Sequence, residues 1–381
     1  MVKERLGDYI TEYSVRNKMN EDIPVYSVTN TQGFCQDYFG KEVASKDKST
    51  YKIVPRGYFA YNPSRINVGS VDWQRNEDRV IVSPLYNVFS VSSELEPQYL
   101  YYYLKSDFAL QRIKATARGS VRDNLRLNML AEFPITIPSI IEQQKVIDIL
   151  DNVTGLINLY SVQLQKLDEL VEVRFIEMFI DSHVADAWTR CTISDVSMDM
   201  RTGPFGSALH HGEFVDEGVF VLGIDNAVEN KFSYNKMRYI TEEKYCQLKR
   251  YTVFPGDVII TIMGTVGRSA VIPDDMPKAI NTKHLACITV DTKKINPYFL
   301  SSAFQIHPDI RAQLQKECKG AIMNGLNLTI IKGLSFKCPP LALQEEFVAF
   351  YKQIEKVKLS VQNSIEQIEI LKKALMQQYF G

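Results

Sequence analysis

Two long segments of the sequence are similar to each other, and this duplication limits the possible folds more than any other feature. When the chain is shifted by roughly 200 residues, its halves align, with Tyr51 on Tyr251 and Pro55 on Pro255. Further matches follow in the same order, with 96–106 on 296–306 and 119–130 on 320–331. Such a repeat is far longer than the unit of a solenoid, so it indicates a duplicated domain.

Each copy begins with a mixed region and ends in a long helix. β-branched or alternating runs bounded by turn residues predict strands, and longer amphipathic runs predict helices. The predicted strands are 80–91, 257–262 and 286–290, and the predicted shorter helices are 98–115 and 240–250. The long helices are predicted to open at proline turns, at 138–144 in the first copy and 339–346 in the second.

Both long helices carry a narrow apolar stripe whose members recur at spacings of three and four residues. The first stripe is Ile149, Val153, Leu156, Tyr160, Leu164, Leu167, Val171 and Met178, and the second is Phe347, Ile354, Val357, Val361, Ile365, Ile368, Leu371, Leu375 and Tyr379. Stripes of about five heptads are typical of a coiled-coil seam. Antiparallel pairing would leave one domain at each end. The alternative is that each helix packs only on its own domain.

The net charge of −1 does not favour nucleic-acid binding, but the charge is unevenly distributed. Residues 112–126 carry five basic side chains and one acidic one, whereas 142–179 carry seven acidic and three basic ones. Because 112–126 is basic and 142–179 is acidic, the two segments are expected to bind different partners.

The sequence lacks the common signatures of catalysis. It has no phosphate-binding loop of the G-x-x-x-x-G-K-[ST] type, no G-x-G-x-x-G after a strand and no Asn/Asp-Pro-Pro-aromatic motif of adenine methylation. The six cysteines and five histidines show no metal-ligand spacing. We therefore predict no catalytic residue, no metal site and no cofactor bound by this chain. With no signal-like start and no membrane-length apolar run, we expect a cytoplasmic protein without a membrane partner.

One motif resembles a nuclease site. Asp225 followed by Glu242, Glu243 and Lys244 has the order of a D…E-x-K nuclease, in which carboxylates hold Mg²⁺. The structural alternative is that Thr241 caps a helix whose positive end favours the two glutamates. A stand-alone Mg²⁺-dependent nuclease, which would cut DNA as the purified chain, therefore stays open as a minor alternative.

Glycine-rich turns and basic segments are the candidates for DNA contact. The turn at 202–214 would let backbone N–H groups approach phosphate, although it could equally be a simple hairpin. The segment 263–271 and its counterpart 62–70 supply arginine and asparagine, which can read guanine and adenine edges. The basic run 112–126 and its mate 311–327 could bind phosphates or could be solvated helix faces. The candidate DNA-binding residues are Ser64, Arg65, Asn67, Lys114, Arg118, Arg122, Asn124, Gly203, Phe205, Gly206, Ser207, Arg268, Lys283, His284, Lys319, Asn324 and Asn327.

Four segments together resemble the specificity (S) subunit of a Type I restriction–modification enzyme. They are the turn at 202–210, the segment 263–273, the Asn-Leu-rich stretches before the proline turns, and the closing helix with the P-x-x-x-E-Q-Q pattern at 138–144. The resemblance covers nearly the whole chain. The first copy departs from it, because it has no GPFGS-like turn and only SRINVGS in place of G-T-V-G-R.

The resemblance implies a mixed α+β fold with two pseudo-symmetric α/β recognition domains, separated by a long antiparallel two-helix coiled coil. The predicted parts are target recognition domain 1 (1–137), a central long helix (138–181), target recognition domain 2 (182–338) and a C-terminal long helix (339–381). Each domain would read one half of a bipartite double-stranded DNA target, and the helices would set the gap between the halves.

The resemblance also assigns the chemistry to other chains. It implies that two methyltransferase (M) subunits dock on the helices and that restriction (R) subunits join them. These partners would carry S-adenosylmethionine, ATP and Mg²⁺, so this chain would be a non-catalytic subunit. The main alternative is a coiled-coil scaffold that binds only proteins, which predicts no salt-dependent DNA affinity in the assembled complex.

Overall fold

The computed structural model describes residues 3–36, 47–117, 124–182, 185–205, 208–319 and 325–381, without the side chains of 318 and 319. The chain divides into two compact units. Unit 1 comprises Met1–Val162 and Val361–Gly381, and unit 2 comprises Gln163–Ser360.

Unit 1 contains a four-stranded antiparallel sheet with the order β2-β9-β6-β7, and the pairs β1–β10, β3–β4 and β5–β8. Its strands are β1 (Glu4–Arg5), β2 (Ile10–Glu12), β3 (Ser27–Thr29), β4 (Gly33–Cys35), β5 (Lys52–Pro55), β6 (Phe59–Tyr61), β7 (Val71–Trp73), β8 (Arg79–Val82), β9 (Asn87–Val91) and β10 (Pro134–Ile135). Its helices are α1 (Pro97–Lys105), α2 (Asp107–Thr116), α3 (Leu127–Leu130) and the first part of α4 (Ile140–Phe179).

Unit 2 repeats this plan with more extensive strand pairing. The antiparallel sheet β12-β19-β16-β17 corresponds to β2-β9-β6-β7. In the second sheet, with the order β14-β13-β18-β15, the pair β15–β18 corresponds to β5–β8 of unit 1. Its strands are β11 (Arg190–Thr192), β12 (Ser197–Thr202), β13 (Val219–Leu222), β14 (Tyr239–Ile240), β15 (Thr252–Val253), β16 (Val258–Thr261), β17 (Ser269–Val271), β18 (Ala279–Asn281), β19 (Leu285–Val290) and β20 (Ser335–Lys337). Its helices are α5 (Glu242–Leu248), α6 (Pro297–Ile306), α7 (Pro308–Lys319), α8 (Leu328–Gly333) and part of α9 (Leu341–Phe380).

The predicted helix over 98–115 is two helices, α1 and α2. Ser106 interrupts it, because its backbone is extended (ψ 150°) and its hydroxyl accepts a hydrogen bond from the Ala109 N–H at 3.2 Å. This is the geometry of a helix N-cap, which satisfies one of the free N–H groups at a helix start. The predicted strand over 80–91 was likewise wrong as one element, since β8 and β9 belong to different sheets.

The two long helices pack together, but the seam differs from the predicted stripe. In unit 2 the helices run antiparallel, since Asp168 pairs with Lys358 at 2.6 Å and Arg174 with Glu346 at 3.1 Å. Lys358 occupies a seam position, where its stem covers apolar surface while its ammonium group forms ion pairs. The stripe prediction took the neighbouring Val357 instead, which is 44% exposed.

The same correction applies in unit 1. Lys372 is half-buried near the ring of Tyr102, while the predicted Leu371 is 51% exposed. On α4, Ile149 and Leu156 were also wrong as seam residues, since they are 40% and 46% exposed. A pattern built only from apolar residues misses seam positions that long cationic side chains occupy.

A buried glutamine fixes the start of α9. The Gln344 side chain is fully buried, and its Oε1 accepts from the Asn296 N–H at 2.8 Å. Its Nε2 donates to the carbonyls of Pro339 at 2.8 Å and Lys294 at 3.2 Å. The glutamine thus ties the helix start to the turn that precedes α6.

Gln143 does the same for α4 in unit 1. It is fully buried, accepts from the Glu96 N–H at 2.8 Å, and donates to the carbonyls of Glu94 and Pro138 at 2.8 and 2.9 Å. The same buried hydrogen bonds in both copies explain why a glutamine stands at the matching position of each helix start, five residues after Pro138 and five residues after Pro339.

We expect Gln344→Leu to lower the free energy of unfolding of unit 2 by about 2–4 kcal/mol, because buried backbone groups lose their partners. Urea denaturation would measure the loss. Gln353→Leu is the matched control, because this glutamine of the same helix and the same unit is exposed and should change stability by less than about 0.5 kcal/mol. Equal losses in the two variants would contradict a role for the buried hydrogen bonds.

None of the helices in the described ranges combines the length and apolar character needed to span a membrane.

Candidate nucleic-acid interface

In unit 1 the predicted residues of the first loop lie beside the end of α2. Ser64, Arg65 and Asn67 lie in or next to a short 3-10 turn at Ile66–Val68, on which α2 packs. Ser64 and Arg65 are exposed. The loop is held by Gly69, whose φ of 88° favours glycine.

The second predicted segment of unit 1 meets the same loop. The Leu125 N–H donates to the Pro63 carbonyl at 3.1 Å, and the exposed Asn124 precedes it. Lys114 is exposed in the last turn of α2. Ser64, Arg65, Asn67 and Asn124 therefore lie within four residues of this contact. Lys114 lies three residues before Ala117, whose carbonyl accepts from the Asn124 N–H at 3.0 Å. Arg118 and Arg122 lie outside the described residues.

In unit 2 the predicted glycine turn lies directly against the end of β18. A Cβ on Gly203 would stand 2.2 Å from the Asn281 carbonyl oxygen, so only glycine fits there. Phe205, two residues later, is 57% exposed. Gly206 and Ser207 lie outside the described residues.

Two further candidates follow β18. Lys283 is exposed and His284 is half-buried, with an Nδ1 atom that has no hydrogen-bond partner within the described part of the chain. Burial lowers the pKa of His284, and the nearby charges of Lys283 and Arg238 lower it further. The imidazole is therefore neutral at pH 7, with one donor and one acceptor nitrogen.

The loop after β16 meets the segment before α8. Met263 bridges Gly325, and the Leu326 N–H donates to the Ile262 carbonyl at 2.9 Å. Arg268 is exposed at the far side of this loop. Asn327 caps α8, because its side chain accepts from the Ile330 N–H at 2.9 Å.

The loop after β16 also touches the edge that holds the glycine turn. The Ile262 N–H donates to the His284 carbonyl at 2.9 Å, and a Cβ on Gly264 would lie 3.5 Å from Ile224. The structure thus brings the described candidates of unit 2 to adjoining loops. The side chain of Lys319 and all of Asn324 lie outside the described residues.

The residues of the nuclease motif are dispersed into separate ion pairs. Asp225 pairs with Lys236 and Arg238, Glu242 pairs with Lys278, and Lys244 pairs with Glu213. Thr241 caps α5 by accepting from the Lys244 N–H at 3.2 Å, as the structural alternative predicts. Within the described ranges, no three His, Cys, Asp or Glu side chains are placed to hold a metal ion.

Sequence reasoning missed the partners of Asp225. Lys236 and Arg238 belong to the stretch before β14, a strand that has no counterpart among the described strands of unit 1. Lys236 holds the pKa of the Asp225 carboxyl below its usual range, with a smaller effect of Arg238. A repeat comparison gives no signal for residues that occur in only one copy.

Comparison with known proteins gives consistent matches. The family model of the Type I restriction modification DNA specificity domain matches residues 7–169 and 220–370. The Type I restriction enzyme EcoBI specificity subunit of Escherichia coli is 20% identical over 377 residues, which cover 89% of this chain and 78% of that protein. The MjaVIII specificity subunit of Methanocaldococcus jannaschii is 19% identical over 299 residues, covering 74% and 69%.

Two solved structures share the fold. A chain from a study of complex assembly and conformational transition of the type I R-M system superposes with a TM-score of 0.62, at 17% identity over 99% of this chain and 97% of that chain. The Type I restriction–modification S subunit from M. genitalium superposes with a TM-score of 0.53, at 14% identity over 100% and 96%.

Proposed function

Because the chain belongs to the Type I restriction–modification DNA specificity family, we propose that unit 1 and unit 2 each read one half of a bipartite DNA target. The chain is a non-catalytic specificity subunit with two recognition domains. The observation that carries the proposal is the repeated plan, in which each unit has the same four-stranded sheet and the same glutamine-anchored long helix.

The proposed boundaries follow the predicted ones. Residues 1–137 and 182–338 are the recognition domains, and α4 and α9 are the spacer helices. In unit 1 the reading surface comprises the loop at 62–69 and the segment after α2. In unit 2 it comprises the adjoining loops around Gly203, Arg268 and His284.

The test is an exchange of recognition domains in the assembled complex. The chain is co-expressed with a Type I methyltransferase subunit, and methylated adenines are mapped across the genome. Replacing 1–137 with the first domain of another family member should change one half of the methylated sequence and leave the other half unchanged. A change in both halves would contradict separate reading, and a wild-type complex without salt-dependent DNA affinity would favour the protein-only scaffold.

We also propose that the length of the two helices sets the gap between the half-sites. Inserting seven residues after Val162 in α4 and after Ser360 in α9 keeps the heptad pattern in phase. Each helix lengthens by about 10 Å, which corresponds to about three base steps. The methylated motif should then contain a gap longer by about three base pairs. An unchanged gap would contradict the proposal. Insertion into α4 alone breaks the pairing and should abolish methylation rather than shift the gap.

The proposed partners are two methyltransferase subunits that dock on the helices, and restriction subunits that join the assembly. S-adenosylmethionine, ATP and Mg²⁺ would be bound by those partners. Two patches of exposed apolar side chains support docking. The unit 1 helix patch comprises Leu156, Leu159, Ile370 and Leu371, and the unit 2 helix patch comprises Leu170, Val173 and Val357. Clustered exposed apolar side chains, unlike single ones, are typical of protein interaction sites.

A further inference from the structure

Two parallel strands of unit 2 end at the same edge of their sheet. β13 and β18 pair in parallel, with Leu222 opposite Asn281, and the Thr282 N–H donates to the Leu222 carbonyl at 2.9 Å. After β13 the chain leads to Asp225, and after β18 it leads to Lys283. The loops at the carboxyl ends of neighbouring parallel strands commonly form binding sites.

At this edge a carboxylate holds two cationic side chains. Asp225 accepts from Arg238 Nη2 at 3.0 Å and from Lys236 Nζ at 3.0 Å. The guanidinium group has five N–H donors in a planar fork, so the contact with one carboxylate does not exhaust them. Arg238 is 35% exposed and Lys236 is 70% exposed, so both cations reach the surface.

The backbone lies close to both cations. A Cβ on Gly223 would lie 2.7 Å from Arg238 Nη1, so the guanidinium group lies against the backbone just after β13. Lys236 itself adopts a φ of 50°, a left-handed conformation that is costly for a residue with a side chain. Such conformations persist where the surrounding structure enforces them, and they concentrate at binding sites.

The neighbouring side chains make this edge positive. Arg238 and Lys283 both lie near enough to His284 to lower the pKa of its imidazole. The loop after β16, with its exposed Arg268, adjoins the same edge through Ile224. Clustered positive charge of this kind attracts the DNA backbone, and a planar arginine within it can reach a base edge.

We propose that Arg238 reads a guanine in the half-site of unit 2, that Asp225 is its positioning residue, and that Lys236 contacts a nearby phosphate. The inference rests on the proposed function and deepens it. Fixing the plane of a guanidinium group matters for a bidentate contact with guanine O6 and N7, whereas a phosphate contact needs only charge. Asp225, which the nuclease hypothesis would use as an Mg²⁺ ligand, would here hold Arg238 in place for its contact with the base.

The decisive variant is Arg238→Lys in the complex with the methyltransferase, because lysine keeps the charge but lacks the fork. Methylated adenines are mapped, and binding to the wild-type target is measured at several salt concentrations. We expect preference for one G·C pair in one half-site to fall by about 10- to 100-fold. The other half-site and the salt dependence should be unchanged. An unchanged motif, or weaker binding to all sequences alike, would overturn base reading by Arg238.

The other two residues have distinct expected signatures. Asp225→Asn should loosen the preference at the same base pair as Arg238→Lys, which a merely structural role would not do. Lys236→Gln should weaken binding to all sequences alike and lower the salt-dependence slope by about one. Loss of preference at a different base pair in Asp225→Asn would overturn its positioning role.

Arg190→Lys is the matched control, because Arg190 is an exposed arginine of unit 2 held by Asp309 at 2.7 Å. Its motif should equal that of the wild type. The wild-type motif separates the two proposals. A wild-type complex that methylates no bipartite sequence contradicts the proposed function. A bipartite wild-type motif that Arg238→Lys leaves intact contradicts only this inference.

Discussion

Asp257→Ala is expected to lower the free energy of unfolding of unit 2 by about 3–5 kcal/mol, because it removes the buried counter-charge of Arg201 and leaves only the exposed Asp199 beside it. Asp257 is 2% exposed and accepts from Arg201 Nη2 at 2.6 Å. It also accepts from Thr289 Oγ1 at 2.7 Å, the Phe254 N–H at 3.0 Å and Cys287 Sγ at 3.1 Å. The carboxylate, directly before β16, thus connects this strand to β12 and β19 of the same sheet. This is the four-stranded sheet of unit 2 that has a counterpart in unit 1.

The position of Arg201 explains the size of the effect. Its side chain is 12% exposed, so water can replace the lost carboxylate only in part. A loss of this size is a large fraction of the roughly 5–15 kcal/mol that stabilises a typical domain. The same network raises the pKa of the Cys287 thiol, mainly through burial and secondly through the charge of Asp257, so that thiol is protonated at pH 7.

The measurement can be confined to unit 2. The chain has two tryptophans, Trp73 in unit 1 and Trp188 in unit 2. In a Trp73→Phe background, urea denaturation followed by fluorescence reports the surroundings of Trp188, which packs against Phe179.

Asp199→Asn is the matched control for Asp257→Ala. Asp199 bonds the same guanidinium group at 2.8 Å but is 61% exposed, so its loss should cost less than about 1 kcal/mol. The double variant Arg201→Met/Asp257→Leu removes both charges and should recover much of the stability. Equal losses for Asp199→Asn and Asp257→Ala would contradict the importance of burial.

The repeated domain plan and the long helices could be predicted well from the sequence. The first follows from the similarity between the two halves, and the second from the regular spacing of apolar residues. The helix predicted to open at 138–144 begins at Ile140, and the one predicted to open at 339–346 begins at Leu341. The break at Ser106 was missed because apolar spacing continues across it, although a serine before an aspartate is a common helix start. Lys358 in the seam was missed because its burial depends on its partners Asp168 and Glu355.

The candidate interface could be predicted only in part. Gly203 and Arg268 stand out as a turn and a basic loop, and the structure places their loops side by side. Arg238 does not stand out, since its proposed role depends on the Asp225 carboxylate, which is 13 residues away in sequence. The pairing of β13 with β14 brings the two residues together, and no regular spacing in the sequence marks that contact.

The second large effect is expected at the helix patches. In the proposed complex, Leu156→Glu together with Leu371→Glu should reduce the number of bound methyltransferase subunits from two to one. Leu156 and Leu371 are 46% and 51% exposed on the two helices of unit 1. Interface anchors of this kind commonly contribute about 2 kcal/mol each, so the pair should weaken one docking site on the order of 1,000-fold.

The duplication makes the experiment symmetrical. Val357 and Leu170 in unit 2 occupy the positions that correspond to Leu156 and Leu371 in the repeat alignment, and they are 44% and 46% exposed. Leu170→Glu with Val357→Glu should therefore remove the other methyltransferase, and the four substitutions together should remove both. Native mass spectrometry of the purified complex counts the bound subunits directly.

Leu85→Glu separates docking from a general effect of surface charge. Leu85 is a leucine of unit 1 that is 79% exposed in the turn between β8 and β9, away from the helix sequence. Its variant should keep two methyltransferase subunits. If the unit 1 pair alone released both subunits, the two patches would be parts of one shared site. If all four substitutions released neither, the methyltransferase would dock elsewhere, and the exposed apolar residues would need another partner.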